Sequence, residues 1–228
     1  MLQAICLVSP ELISNLSSVI NKHNEFQYGT ERTFAYEIYR QWENLIRYKD
    51  EDMVVNAEVP KRYSKENYLK ELSKIFGYTN KNKVRSCFYP DLVYHHSQWD
   101  DSRQELICEI KTLNGLNEKN SPKLMTDLKK LSAYMRKNTL LEHPFTYGAF
   151  ILLGGNMRDI KNRYRKTKVV DEKSRRIYCI TYNVIRNDND EYVPVIETIP
   201  LYSIITNGRK YLDNKRSRLV QIINKSNI

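Results

Sequence analysis

The run "YGAFILLGG", Tyr147 to Gly155, is almost uninterrupted apolar sequence of strand length. A strand with one wet face alternates polar and apolar residues. One without alternation is covered on both faces, as at the centre of a layered sheet. The preceding "NSPKLMTDLKKLSAYMRKN" predicts a helix, with Ser121 as N-cap and Pro122 at the first helical position. Leu124, Leu128, Leu131 and Met135 form its buried stripe. A strand entered from a crossover helix favours a parallel neighbour. The chain must therefore supply that neighbour upstream, and helices for both faces.

Upstream, "PDLVYHHSQWDDSRQELICEIK", Pro90 to Lys111, reads as two strands joined by a polar turn. Before it, "YGTERTFAYEIYRQWENLIRY" predicts a helix capped by Thr30, with Phe34, Ile38, Trp42 and Leu45 on one stripe. "DMVVNAEVP" follows as a short strand, and "SKENYLKELSKIFGY" as a helix running from Ser64 to a C-cap at Gly77. Residues 1–27 are weakly patterned, with a short helix from Glu11 to Ile20. Beyond the apolar run lie a basic stretch, two strands ("RRIYCITYNVI" and "EYVPVIETIPLYSII") and a basic helix from about Asn214. The class is α/β (α+β): a mixed central sheet flanked by helices.

The 37 Lys and Arg residues exceed 27 Asp and Glu, a formal charge of +10. That excess favours polyanionic partners, through counterion release and long-range attraction, without separating nucleic acid from an acidic membrane surface. Cys6, Cys87, Cys108 and Cys179 lie far apart with no CxxC pair, which excludes a zinc spacing or a disulfide scaffold. Each is expected to pack as a small apolar residue. The N-terminus lacks the basic region and cleavage site of a signal peptide, and no stretch approaches the ~20 apolar residues of a membrane span. The expectation is a cytoplasmic protein.

Glu109 and Lys111 are two apart in an extended strand, so their side chains leave the same face. Asp91, at the mouth of the paired strand, can reach that face across the hairpin. Two readings stand side by side. One is a solvated edge hairpin with a wet Glu–Lys alternation. The other is a cluster in which Asp91, Glu109 and the Ile110 carbonyl offer hard oxygen ligands to Mg²⁺ or Mn²⁺. In the second, Lys111 orients water or stabilises developing negative charge.

Pro90-Asp91, the 18-residue step to Glu109, and Glu109-Ile110-Lys111 on an apolar strand resemble the PD-(D/E)xK nuclease superfamily. That superfamily includes many restriction endonucleases and the archaeal Holliday-junction resolvases. The resemblance covers roughly residues 28–155. It implies a restriction-endonuclease-like core within a single domain of residues 1–228, with an N-terminal extension 1–27 and a strand-rich C-terminal extension 156–228. It also implies Asp91 and Glu109 as metal ligands and Lys111 as the catalytic lysine of a Mg²⁺-dependent nuclease acting on DNA. The alternative is a nucleic-acid-binding or assembly protein on the same core that no longer cuts. A homodimer would suit cleavage of two strands.

The family supplies a further carboxylate from the preceding helix. Glu31 and Glu37 are equal candidates, Glu58 a third. Glu31-Arg32 is similar to the Glu-Arg pair of the resolvases, with Arg32 a phosphate clamp. Against this, an acid in a helix's first turn is accounted for by the macrodipole. On the later helix, Lys123, Asp127, Lys130 and Tyr134 form a second stripe. Lys130 and Tyr134 resemble the family's Gln-x-x-x-Tyr pair, with Lys in place of Gln. They are candidate phosphate contacts or an ordinary solvated flank. "KNRYRKTK" lies in a stretch, Met157–Arg176, with nine Lys/Arg against three Asp/Glu. Its Lys161, Arg163, Arg165 and Lys166, interleaved with Tyr164, are candidate nucleic-acid contacts or a solvated face.

Overall fold

The computed structural model describes residues 1–12, 27–47, 52–57, 90–96, 103–116, 123–136 and 143–206. The expected helix at Ser64–Gly77, most of that at Glu11–Ile20, the caps at Ser121 and Pro122, Cys87, Glu58 and the helix from Asn214 lie outside those residues.

In chain order the elements are α1 (Leu2–Cys6), α2 (Gln27–Ile46), β1 (Met53–Ala57), β2 (Leu92–His96), β3 (Gln104–Thr112), α3 (Leu113–Leu116), α4 (Lys123–Tyr134) and β4 (Tyr147–Leu153). They continue as α5 (Met157–Arg163), α6 (Lys168–Asp171), β5 (Ile177–Arg186), β6 (Tyr192–Pro200) and α7 (Leu201–Thr206). The strands form one six-stranded mixed sheet in the order β1-β2-β3-β4-β5-β6. The β1–β2–β3 meander is antiparallel, β3, β4 and β5 run parallel, and β6 returns antiparallel to β5.

Two cores form because β3 and β4 send alternate residues to opposite faces. Ile107, Phe150 and Leu152 join Leu124, Leu128 and Leu131 of α4 in one cluster. Cys108, Ile110, Ala149 and Ile151 join Phe34, Ile38 and Trp42 of α2 in the other. β4 is thus covered on both faces and parallel to β3, as its unbroken apolar run predicts. The same alternation assigns Glu109 and Lys111 to the α4 face, beside Ile107.

Four details depart from expectation. α2 begins at Gln27, so Thr30 lies inside the helix and not at its cap. β6 ends at Pro200, and the "LYSII" expected to prolong it is the helix α7, with Leu201 and Ile204 buried at helical spacing. Proline cannot donate to a ladder but has the φ of a helix start. The boundary at 155/156 is crossed by the sheet, since β5 pairs with β4, and the N-terminal segment contributes Ala4 and Ile5 of α1 and the following Val8 to the α2-side core. The Tyr182 hydroxyl donates to the Val8 carbonyl at 2.9 Å, tying the N-terminus to β5. Finally, Cys108 and Cys179 are buried as expected, but Cys6 is exposed. No helix among the described residues is long and apolar enough to cross a membrane.

Candidate functional site

Asp91 immediately precedes β2, and its N–H donates to the Cys108 carbonyl at 3.2 Å. The pairing of Leu92 with Cys108, carried one residue further, sets Asp91 opposite Glu109. The Asp91 Oδ2 atom accepts a hydrogen bond from the Ile110 N–H at 2.6 Å. This carboxylate therefore pins the point where β2 begins to the C-terminal part of β3, and it does so on the Glu109 face.

Glu109 leaves β3 toward α4 and meets the Lys130 ammonium at 2.6 Å, with side-chain exposures of 2% and 7%. The two form an ion pair at contact distance. Asp127, one turn earlier on α4, is also buried, and its Oδ2 has no hydrogen-bond partner among the described residues. The polar stripe of α4 is thus pressed against the sheet together with the apolar one.

Lys111, on the same face one pleat further, curls back to donate to the Ile110 carbonyl at 3.0 Å and lies 3.2 Å from Glu31 Oε2. The other oxygen of Glu31 accepts from the Thr112 N–H at 2.8 Å and the Thr112 hydroxyl at 3.3 Å. Glu31 sits one turn before Phe34, so it continues the apolar stripe of α2 to the end of the sheet. Side chains lean toward a helix's N-terminus, which carries this carboxylate past the core to the close of β3.

Four carboxyl groups, Asp91, Glu109, Asp127 and Glu31, thus act on two ammonium groups, and the site is net negative to the extent that Glu109 and Asp127 ionise. Burial pushes the Glu109 carboxyl up to about 8, against Lys130 and with Asp91 and Asp127 adding to the rise. Burial also pushes Asp127 up to about 6, opposed by Lys111 and Lys130. For the lysines, burial alone would lower the ammonium pKa. Asp127, Asp91, Glu31 and Glu109 more than reverse that at Lys111, and chiefly Glu109 and Asp127 do so at Lys130. Both amines therefore stay charged at neutral pH.

No family model, curated protein or solved structure matches this chain. What the site can do therefore rests on its own geometry.

Of the two helix carboxylates, Glu31 reaches the cluster and Glu37 does not. Glu37 takes Arg40 at 2.6 Å and Gln41 at 2.7 Å along its own helix, which holds its carboxyl below the usual range. Arg32 is exposed on the flank of α2. Tyr134 is not a surface phenol: it is 1% exposed, with its ring edge-on to Phe145 at 6.3 Å. Lys130 is equally no surface phosphate contact, being committed to Glu109. Within the basic stretch, Arg163 binds the Asp159 carbonyl at 3.0 Å and Tyr164 binds Asp171, while Arg165 and Lys166 are exposed. His95 is buried at 2.8 Å from Asn56, away from the cluster.

Two participants were not expected. Asp127 could have been found from its i,i+3 spacing to Lys130 on a stripe bordering the apolar one. Thr112 carries no signal beyond adjacency to Lys111.

Asp91, Glu109 and the Ile110 carbonyl are hard oxygen donors at one end of β3, and the excess of carboxyl over ammonium groups and the orphaned Asp127 oxygen suit a divalent cation. Among the described residues, no three His, Cys, Asp or Glu side chains are gathered as a ligand set. The donors are instead turned onto the Ile110 N–H, Lys130 and Lys111. The donor chemistry fits Mg²⁺ or Mn²⁺, with internal ammonium groups standing against the same oxygens.

Proposed function

We propose that the chain is a Mg²⁺- or Mn²⁺-dependent nuclease that hydrolyses phosphodiester bonds in DNA, with Asp91, Glu109 and Lys111 at its site. The observation that carries this reading is the shared face: Asp91 lies across the hairpin from Glu109, and Lys111 is one pleat beyond. A solvated edge hairpin would not bury Glu109 under a helix. The order of helix, hairpin, helix and parallel strand agrees with the restriction-endonuclease-like core that the PD-(D/E)xK resemblance implies.

Asp91, Glu109 and the Ile110 carbonyl would hold the cation. When bound, such an ion lowers the pKa of its water and offsets charge on the phosphate. The carboxylates around Lys111 favour its charged form, which suits an electrostatic part. Its role is electrostatic: a fixed positive charge beside the phosphate as negative charge develops on the attacked group. Glu31 aims that charge. The exposed Arg165 and Lys166 supply backbone contacts. They follow α5, and the Arg165 N–H meets Met125 Sδ at 3.1 Å, two residues before Asp127 on α4.

The second reading, a non-cutting nucleic-acid binder, draws on the neutralisation of Glu109 by Lys130. Plasmid nicking with Mg²⁺ or Mn²⁺ separates the two. The nuclease cuts in a metal-dependent way that Asp91→Ala and Lys111→Ala abolish while DNA binding persists. DNA binding without metal-dependent cutting by the native chain overturns it in favour of the binder.

A further inference from the structure

We infer that Lys130 is a tethered counter-ion guarding the cation site: its ammonium holds Glu109 while no metal ion is present and passes to Asp127 when one enters. The inference rests on the reading of the cluster as a divalent-cation site. It goes further in giving α4 a role in controlling access to that site.

Three observations carry it. The Lys130 ammonium stands 2.6 Å from Oε1 of Glu109, a residue named above as a metal donor, so a cation and this ammonium compete for one carboxylate. Two positive charges at contact distance repel, and one must leave. No other group among the described residues holds Glu109 Oε1, so that oxygen is released when the ammonium moves.

The destination is already in place. Asp127 is 8% exposed, and its Oδ2 has no hydrogen-bond partner among the described residues. A buried carboxylate oxygen left unsatisfied calls for an explanation, because most such atoms are paired. Residues at i and i+3 share a helix face, and a lysine's four-carbon stem lets its ammonium swing between neighbouring acceptors. Asp127 and Lys130 already act on each other electrostatically. A permanent structural ion pair would account for Glu109 but would leave the Asp127 oxygen without a purpose.

The test is Mn²⁺ titration of the full chain by calorimetry, with far-UV circular dichroism reporting folding. Lys130→Met should tighten the Mn²⁺ Kd by about tenfold, a typical coupling between linked events. Lys130→Gln, which keeps a neutral donor beside Glu109 and protects the fold, should tighten it in the same direction. Asp127→Asn should weaken Mn²⁺ binding by about tenfold in the native background and far less in Lys130→Met, since it then has no ammonium to receive. Unchanged Kd values in both Lys130 variants, or an equal Asp127→Asn effect in both backgrounds, overturn the proposal. If the native chain cuts DNA with Mn²⁺ and the Lys130 variants bind it no more tightly, this inference alone fails. A native chain that neither binds Mn²⁺ nor cuts removes the nuclease reading with it.

Discussion

The Glu31 carboxylate joins a helix to a strand: one oxygen accepts from the Thr112 N–H at 2.8 Å while the other lies 3.2 Å from the Lys111 ammonium. The backbone bond fixes the carboxylate, and the carboxylate in turn fixes the amine. A flexible lysine stem is thereby held at one place at the end of β3, where a group that acts by position has to be.

Replacing Glu31 with Gln keeps an acceptor for Thr112 but removes the charge that aims Lys111. Metal-dependent nicking should fall by about 10²-fold, the scale on which ångström misplacement of a reacting group is felt. The loss of stability should stay near 1 kcal/mol, because the backbone bond survives. Glu37→Gln disturbs only an intrahelical pairing and should leave the rate unchanged. Nicking assays on both variants check the contrast. Equal effects would return the two acids to the same footing.

Gly115 approaches this seat more closely than any side chain could without displacement. A Cβ there would stand 3.0 Å from Glu31 Oε1 and 3.0 Å from Thr112 Oγ1, whose hydroxyl also accepts from the Gly115 N–H at 3.0 Å. Gly115→Ala should shift the carboxylate by a few tenths of an ångström and lower the rate in the same direction as Glu31→Gln, by a smaller factor. Its thermal midpoint should move by only a few degrees. Combining the two substitutions should cost little more than Glu31→Gln alone, as expected of residues that act through one contact.

The sheet centre was legible because an unbroken apolar run admits few environments, and β4 occupies the one it implied. Glu109 and Lys111 were legible because strand period makes two-apart residues co-facial whatever the tertiary setting. Choosing between Glu31 and Glu37 was beyond helical projection, since both lie near the apolar stripe of α2. What decides is how far the helix overhangs the sheet, and that depends on its seating against Tyr182, whose ring meets Phe34 edge-on at 5.1 Å. The polar stripe of α4 misled for a related reason. Period alone places Lys130 and Tyr134 beside the apolar residues but cannot say whether a second surface covers them. Both are buried, one on Glu109 and the other on Phe145.

Asp127 makes a prediction about stability. Burial lifts its carboxyl from an unfolded value near 3.8 to about 6, so the folded chain holds a proton more tightly than the unfolded one. Stability is then lost as pH rises from about 4 to 6, and the penalty is complete above that window. Asp127→Asn, which cannot ionise, should be more stable than the native chain by about 1–3 kcal/mol at pH 7. The advantage should vanish near pH 4. Urea unfolding across this range measures it, and a constant difference at every pH would show that the charge is not its origin.

Arg165 and Lys166 differ from the other basic residues in what holds them. Arg163 is turned onto Asp159, and Lys130 is buried, so neither has an ammonium or guanidinium to spend on a phosphate. Arg165 uses its Nη1 on the Asn162 and Tyr164 carbonyls at 3.1 and 3.0 Å, which orients an otherwise exposed guanidinium, and Lys166 is open to solvent. Each phosphate neutralised on duplex DNA contributes about 0.9 to the slope of log K against log salt. Arg165→Ala with Lys166→Ala should therefore flatten that slope by about 2 and weaken binding to unrelated sequences alike. Asp91→Ala should leave the slope unchanged, since Asp91 meets a backbone N–H and no phosphate. Fluorescence anisotropy of a labelled duplex over a salt series reads both. An unaltered slope in the double variant would place the DNA path elsewhere on the surface.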